Sequence, residues 1–392
     1  VFDSIRPFLW PLAFLLLATL LWVTRPQDTM ADFAIYHTAA TRVLGGESPY
    51  AAADPRPFTF LPVVALVMTP FGLLRQDAAM FLWFAALVGL LTAFVRWAIQ
   101  GLPERRRSDE ALQWIVLAAM LPFFAHELNA GQLNIVLALL MVGALLAAQV
   151  ELPRMSGVLA GLAVFLDPYA LLLLPWLVLA HGTRAAVATL MVLALGLLAP
   201  ALVYGWTGNV ELLVSWFRLI SLQPAVAEGA SFGAMWTMWF GSGRLAPFLT
   251  VVTTGAVVGL LAVTFVRRRT VLDADYLEVA LVMLAIPLVS SGASMWTFLL
   301  ATPIVTGVLD RWAETPVGWR AAAGRPSICW AGAYCPPQSR RRSSPCRGRC
   351  CSWRPRPCGI GLSPDRRPSE LIHNVLYIIG SLGDGEPRHA GT

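Results

Sequence analysis

Polar side chains are scarce in this chain, and those in its first long loop are spaced to share a face. In the run M-A-D-F-A-I-Y-H-T-A-A-T-R-V-L-G-G-E-S-P-Y, Asp32, Tyr36 and Ala39 or Ala40 lie three to four residues apart, on one side of a helix. Leu44 extends the stripe, and Gly45-Gly46 ends it where a left-handed residue is wanted. The spacing predicts a short interfacial helix just outside the first membrane span. A carboxylate near its start, Asp28 or Asp32, either caps the helix and favours its positive end or is kept for proton transfer. A second polar group, His126, Glu127, Asn129, Gln132 and Asn134, crowds the end of an apolar run. Polar residues at membrane depth face a cavity or pair with one another, so this group predicts a pocket wall. A third group is aromatic: between Gly205 and Gly243 stand Trp206, Trp216, Phe217, Trp236, Trp239 and Phe240. Such rings favour the membrane interface, and stacking on sugar rings is the alternative reading. Ser215, Arg218 and Ser221 recur there at helical spacing, as one polar stripe.

The elements that must position these groups are membrane helices. Of the 392 residues, 57% are hydrophobic and only 13% charged, which no water-soluble core can use. Crossing roughly 30 Å of hydrocarbon takes about 20 helical residues. Clear runs are 7–23, 80–99, 185–204 and 245–266; shorter or proline-broken ones are 58–74, 111–125, 133–148, 156–180, 277–289 and 295–309. About ten membrane segments are expected, all helical, because barrel strands would alternate over about ten residues. The first run reads as a retained helix rather than a signal peptide. Runs 58–74, with Pro62 and Pro70, and 156–180, broken at Asp167-Pro168, are expected to turn back without crossing.

The net charge is +6, and all the cationic residues are arginine. They sit in short loops and in the tail, which argues against nucleic-acid binding and places Arg6, Arg105 to Arg107, Arg154, Arg184 and Arg267 to Arg269 on the cytoplasmic side. The loops at 24–57 and 205–243 then face outward. Composition changes near Trp312, dividing the chain into a membrane domain, 1–312, and an Arg/Pro/Cys-rich tail, 313–392, expected to be disordered and to run out of its native reading frame near residue 320. All six cysteines lie in that tail, without a paired C-x-x-C, so no metal site is expected.

The loop run and the F-T-F-L-P-V-V-A-L-V-M-T-P-F-G-L-L that follows resemble the start of the polyprenyl-phosphate-mannose-dependent α-mannosyltransferases, the GT87 membrane glycosyltransferases of GT-C fold. The pattern D-x-x-x-Y-x-x-A, then G-x-x-x-Y and a proline-rich segment, falls on Asp32, Tyr36, Ala39, Gly46, Tyr50, Pro62 and Pro70. G-Q-L-N from Gly131 and S-G-V-L-A-G-L-A-V-F-L-D-P-Y continue the likeness. Two positions depart from it: Asp167 stands where relatives carry a basic residue, and S-S-G-A-S-M-W-T-F keeps Trp296 without the histidine that follows in relatives.

The resemblance implies transfer of mannose, or a similar sugar, from a polyprenyl phosphate to a cell-envelope glycolipid or lipoglycan, with inversion and at the outer face of a bacterial plasma membrane. Asp32 is then the general base, and Arg42, Arg56, His126 and Arg218 are candidates for the leaving phosphate, an arginine fork being the better ligand. Tyr36, Gln132, Asn134 and Trp296 complete the substrate contacts. The donor carries its own leaving group, so no cofactor is implied; membrane lipids, donor and acceptor are the implied partners. A transporter or flippase would also carry broken helices, but no internal repeat stands at corresponding positions. An inactive scaffold is the remaining alternative.

Overall fold

The computed structural model describes residues 22–23, 30–50, 54, 56–222, 229–241, 243–267, 274–290 and 293–312. Residues 7–21 of the first expected span, Arg6, Asp28, Arg268, Arg269 and the tail therefore lie outside the described residues. Among those described the chain is helical and holds no strand.

The helices are α1 (Ala31–Leu44), α2 (Pro62–Val67), α3 (Thr69–Gly72), α4 (Gln76–Gln100), α5 (Asp109–Ala130), α6 (Asn134–Gln149) and α7 (Pro153–Leu166). After a 3-10 turn, Pro168–Leu172, come α8 (Leu173–His181), α9 (Thr183–Leu198), α10 (Ala201–Leu222), α11 (Phe232–Phe240), α12 (Leu245–Arg267) and α13 (Ala274–Val289). A second 3-10 turn, Met295–Ala301, leads into α14 (Thr302–Asp310). Among the described residues three helices are long and apolar enough to cross a membrane: Gln76–Gln100, Asp109–Ala130 and Leu245–Val266. The bent pair α9 and α10 makes a fourth if counted as one span. The remaining described runs of the expected ten are helical but shorter than the roughly 20 residues a crossing needs.

Three readings of the sequence are corrected. Run 185–204 is not one straight span: the chain leaves α9 at Leu198 and bends by 88° into α10. Pro200 supplies no N–H to continue the ladder of α9, although Ala199 itself stays in the α region, and Gly205, at φ 70°, interrupts α10 again. The stretch 205–243, expected as a loop with a polar helical stripe at Ser215, Arg218 and Ser221, is helical over most of its described length, in α10 and α11. Run 111–125 is the middle of the 22-residue α5, capped by the Ser108 hydroxyl on the Ala111 N–H and carrying Asp109 and Glu110 in its first turn.

Both proline-broken runs fall short of a single crossing helix. Pro62 and Pro70 each sit in the first turn of a helix of six or four residues, α2 and α3, where a missing N–H costs nothing. In the other, Asp167 caps the 3-10 turn by accepting the Tyr169 N–H at 2.9 Å, and Pro153 and His181, at the two ends of the run, line one cavity. The chain thus enters at α7 and returns at α8. Gly157 and Gly161 let α7 meet α9 backbone to backbone: a Cβ at Gly157 would overlap the Ala185 carbonyl, and Thr189 Oγ1 donates to the Gly157 carbonyl at 2.9 Å.

The bundle has two unlike ends. At one, Asp310 accepts the Arg106 and Arg107 N–H groups at 3.0–3.1 Å, and Gln149 Nε2 donates to the Gly101 carbonyl at 3.0 Å. Arg154 and Arg184 flank the α7–α8 return at this end. Helices α5 and α6 run from here to the other end, where Ala130 and Asn134 meet α1. Helix α12 keeps Phe248, Val251 and Val252 exposed, a surface suited to hydrocarbon.

Candidate active site

The site is built on a turn between α5 and α6. Gly131 ends α5 in the left-handed region, at φ 74°, and a Cβ there would stand 2.9 Å from Phe33 Cβ and 3.0 Å from Met30 Sδ. Only glycine meets both demands. The turn is held from two sides: Trp83 Nε1 donates to the Gly131 carbonyl at 3.0 Å, and the Met30 N–H donates to the Asn129 carbonyl at 2.6 Å. Phe33, stacked on Trp83 with ring centroids 5.6 Å apart, locks α1 against α4.

That docking brings Asp32, in the first turn of α1, opposite Gln132. The residue ahead of α1 is Met30, in a left-handed conformation (φ 66°), and no side chain caps the helix. The Asp32 carboxylate instead accepts Arg56 Nη1 at 3.0 Å on Oδ1 and Gln132 Nε2 at 2.6 Å on Oδ2. Gln132 Oε1 in turn accepts Asn134 Nδ2 at 2.9 Å. Asp32, Gln132 and Asn134 line a cavity of about 280 Å³ with Tyr36, Ser294 and Thr297.

Tyr36 is buried between Phe58 and Phe60, both edge-on to its ring. Burial, reinforced by the charge of Asp32, holds its phenol well above the ordinary range, so it stays a neutral hydroxyl. Arg42 and Arg56 line an adjoining cavity, which shares Ile35 with the first. Arg42 binds both oxygens of Asp54, at 2.6 and 2.9 Å, and this fork holds the Asp54 carboxyl below the usual carboxylate range. Arg56 is the more open cation, its side chain 58% exposed.

His126 and Trp296 are brought together but beside the cavity rather than on its wall. Their rings stack with centroids 4.0 Å apart and planes at 11°, and Phe123 meets Trp296 edge-on. A histidine thus stands against Trp296, supplied by α5. The 3-10 turn that carries Trp296 sends Ser294 and Thr297 into the cavity instead. Arg218 is exposed on α10, away from both cavities' linings. Its helix is nonetheless tied to the site: Trp216 Nε1 donates to the Thr59 carbonyl at 2.9 Å and Tyr204 Oη to the Glu47 carbonyl at 2.7 Å. Sequence reasoning missed Ser294, Thr297 and Asp54, whose types carry no signal without the fold. Among the described residues no cluster of three or more His, Cys, Asp or Glu side chains stands ready to hold a metal ion.

The sequence profile of glycosyltransferase family 87 matches residues 58–333, well over half of the chain. The chain belongs to glycosyltransferase family 87. It is also similar to the polyprenol-phosphate-mannose-dependent alpha-(1-2)-phosphatidylinositol pentamannoside mannosyltransferase of Mycolicibacterium smegmatis, 32% identical over 111 residues. That stretch is 28% of this chain and 26% of the relative, so the likeness spans about a quarter of the relative's length. No solved structure matches. Within this family 87 chain the matched segment includes Gln132, Asn134, Ser294 and Thr297, whereas Asp32, Tyr36, Arg42 and Arg56 precede it. The match also runs past Trp312 and past residue 320, where the sequence reading ends the native frame.

Proposed function

We propose that this family 87 chain is an inverting mannosyltransferase of GT-C architecture, moving a mannosyl residue from a polyprenyl phosphate to a cell-envelope glycolipid or lipoglycan. The observation that carries the reading is the Asp32 carboxylate, set in a polar-lined cavity with a half-exposed arginine on one oxygen and an amide on the other. The acceptor hydroxyl enters the cavity, and its oxygen attacks the anomeric carbon while Asp32 takes its proton. The bond from that carbon to the phosphate oxygen breaks on the opposite face, and its electron pair leaves with the phosphate. An arginine has five N–H donors, and Arg56 gives one to Asp32, so its fork suits the departing phosphate. Arg42, occupied by Asp54, is the weaker candidate.

Tyr36, Gln132, Asn134, Ser294 and Thr297 offer hydrogen bonds to sugar hydroxyls, with His126 and Trp296 bracing the wall. Arg218 fits lipid head groups at the interface. The donor's phosphate is itself the leaving group, so the reaction calls for no cofactor. The loops carrying Arg105 to Arg107, Arg154 and Arg184 lie at the end of the bundle opposite Asp32, which supports a cavity open to the outer face of a bacterial plasma membrane.

The test is sugar transfer by the full chain in lipid vesicles. Label is expected to move from polyprenyl-phosphate mannose to lipid acceptors. Transfer from a nucleotide sugar alone, or lipid flux independent of sugar, overturns the reading.

A further inference from the structure

The buried carboxylate of Glu127 does not line the cavity, yet it is joined to it. Glu127 is fully buried in the last turn of α5, where an unpaired charge would be costly. Its Oε1 accepts the Ile135 N–H at 3.1 Å and its Oε2 accepts Asn134 Nδ2 at 3.1 Å. Asn134 Nδ2 also donates to Gln132 Oε1, and Gln132 Nε2 to Asp32 Oδ2. With Glu127 ionised, each link has one workable direction. A carboxylate accepts, so it draws the Asn134 amino group; that group then draws the Gln132 carbonyl, which leaves the Gln132 amino group for Asp32. Turning Gln132 over would set its carbonyl against a carboxylate and its amino group against another. The backbone carbonyl of Glu127 also accepts the Gly131 and Gln132 N–H groups, at 2.9 and 3.3 Å, so the same residue shapes the turn.

We infer that Glu127 is a positioning residue that acts through Asn134 and Gln132 to aim and hold the Asp32 carboxylate. The inference rests on the reading of Asp32 as the reactive group. The competing role is local: through the Ile135 N–H, Glu127 would cap α6 and nothing more. A cap is worth stability; an aiming chain is worth rate, and only while Gln132 is present to transmit it.

The experiment uses the full chain in lipid vesicles with polyprenyl-phosphate mannose, comparing Glu127→Gln, Gln132→Ala and the double variant. Glu127→Gln is expected to lower kcat about tenfold to a hundredfold with little change in donor KM or unfolding temperature. In the Gln132→Ala background it is expected to cost less than about twofold more. Asn134→Ala, which cuts the chain while keeping the Glu127 side chain, reproduces the loss and serves if Glu127→Gln does not fold. A second readout needs no activity: labelling of Asp32 by a water-soluble carbodiimide, read by mass spectrometry, is expected to rise several-fold in Glu127→Gln and in Asn134→Ala. Additive losses in the double variant, or unchanged Asp32 labelling, overturn the inference. A wild-type protein that transfers no sugar defeats the proposed function instead, and the labelling alone then decides the role of Glu127.

Discussion

Two arginine–aspartate pairs stand on the two cavities that share Ile35, and they are built for different tasks. Arg42 and Asp54 close on each other with two bonds, their side chains 23% and 28% exposed. Each satisfies the other, and the pair ties α1 to the segment that follows it. Arg56 and Asp32 share one bond of 3.0 Å, the arginine is largely exposed, and the second oxygen of Asp32 belongs to Gln132. A closed fork has less to offer a substrate, since both carboxylate oxygens and two of the five arginine N–H groups are taken. A single bond between an exposed cation and a carboxylate whose other oxygen is held by an amide leaves both groups more accessible, which suits the proton removal and phosphate departure proposed for them.

Breaking the two carboxylates separates these tasks most widely. Asp32→Asn keeps size and shape but cannot take a proton, so transfer is expected to fall about a hundredfold to ten-thousandfold. Asp54→Asn is expected to keep rate within a few-fold, and initial rates on the two variants side by side check both. Comparable losses would mean that the pairs do not differ as described. Next in size, Arg56→Ala is expected to cost about tenfold to a hundredfold in kcat/KM for the lipid-phosphate donor, since a phosphate loses a charge-assisted partner. Arg42→Ala, measured with the same donor, is expected to fall by much less.

The smallest effect sharpens the comparison through pH. Asp54 has its folded-state pKa lowered by the Arg42 fork. Its contribution is therefore fully present above the unfolded value, near pH 4, and is lost as pH falls through the lower folded value. A pair this close to the surface is worth about 1 kcal/mol or less. Unfolding temperatures of wild type and Asp54→Asn are expected to differ slightly at pH 7 and to converge as pH falls through the lowered folded-state value. A gap that widens in acid would contradict the clasp.

What the sequence displays, and what it hides, follows from range. The α1 stripe from Asp32 to Leu44, the breaks at Pro62, Pro70 and Asp167-Pro168, and the crowding from His126 to Asn134 are local patterns, and local periodicity reports them. The bend after Leu198 was also local, but the apolar run over Pro200 masked it. The partners were not local. Arg56 reaches Asp32 across 24 residues and Gln132 reaches it across 100, and no spacing rule links them. Arg42 and Arg56 look alike in sequence; only Asp54, a residue with no motif, distinguishes them once folded. Asp167, where the family resemblance leads one to expect a basic residue, has a local task as the cap of a 3-10 turn.

The most direct measurement asks whether Asp32 takes a proton or attacks the sugar. Purified protein in vesicles, given a β-linked, carbon-13-labelled polyprenyl-phosphate mannose, forms a product whose anomeric configuration is read by NMR. A base acting on the acceptor hydroxyl gives one displacement and an α-linked product, made by wild type and not by Asp32→Asn. A β-linked product would require two displacements through a covalent glycosyl-carboxylate, and would contradict the assignment of Asp32 as base.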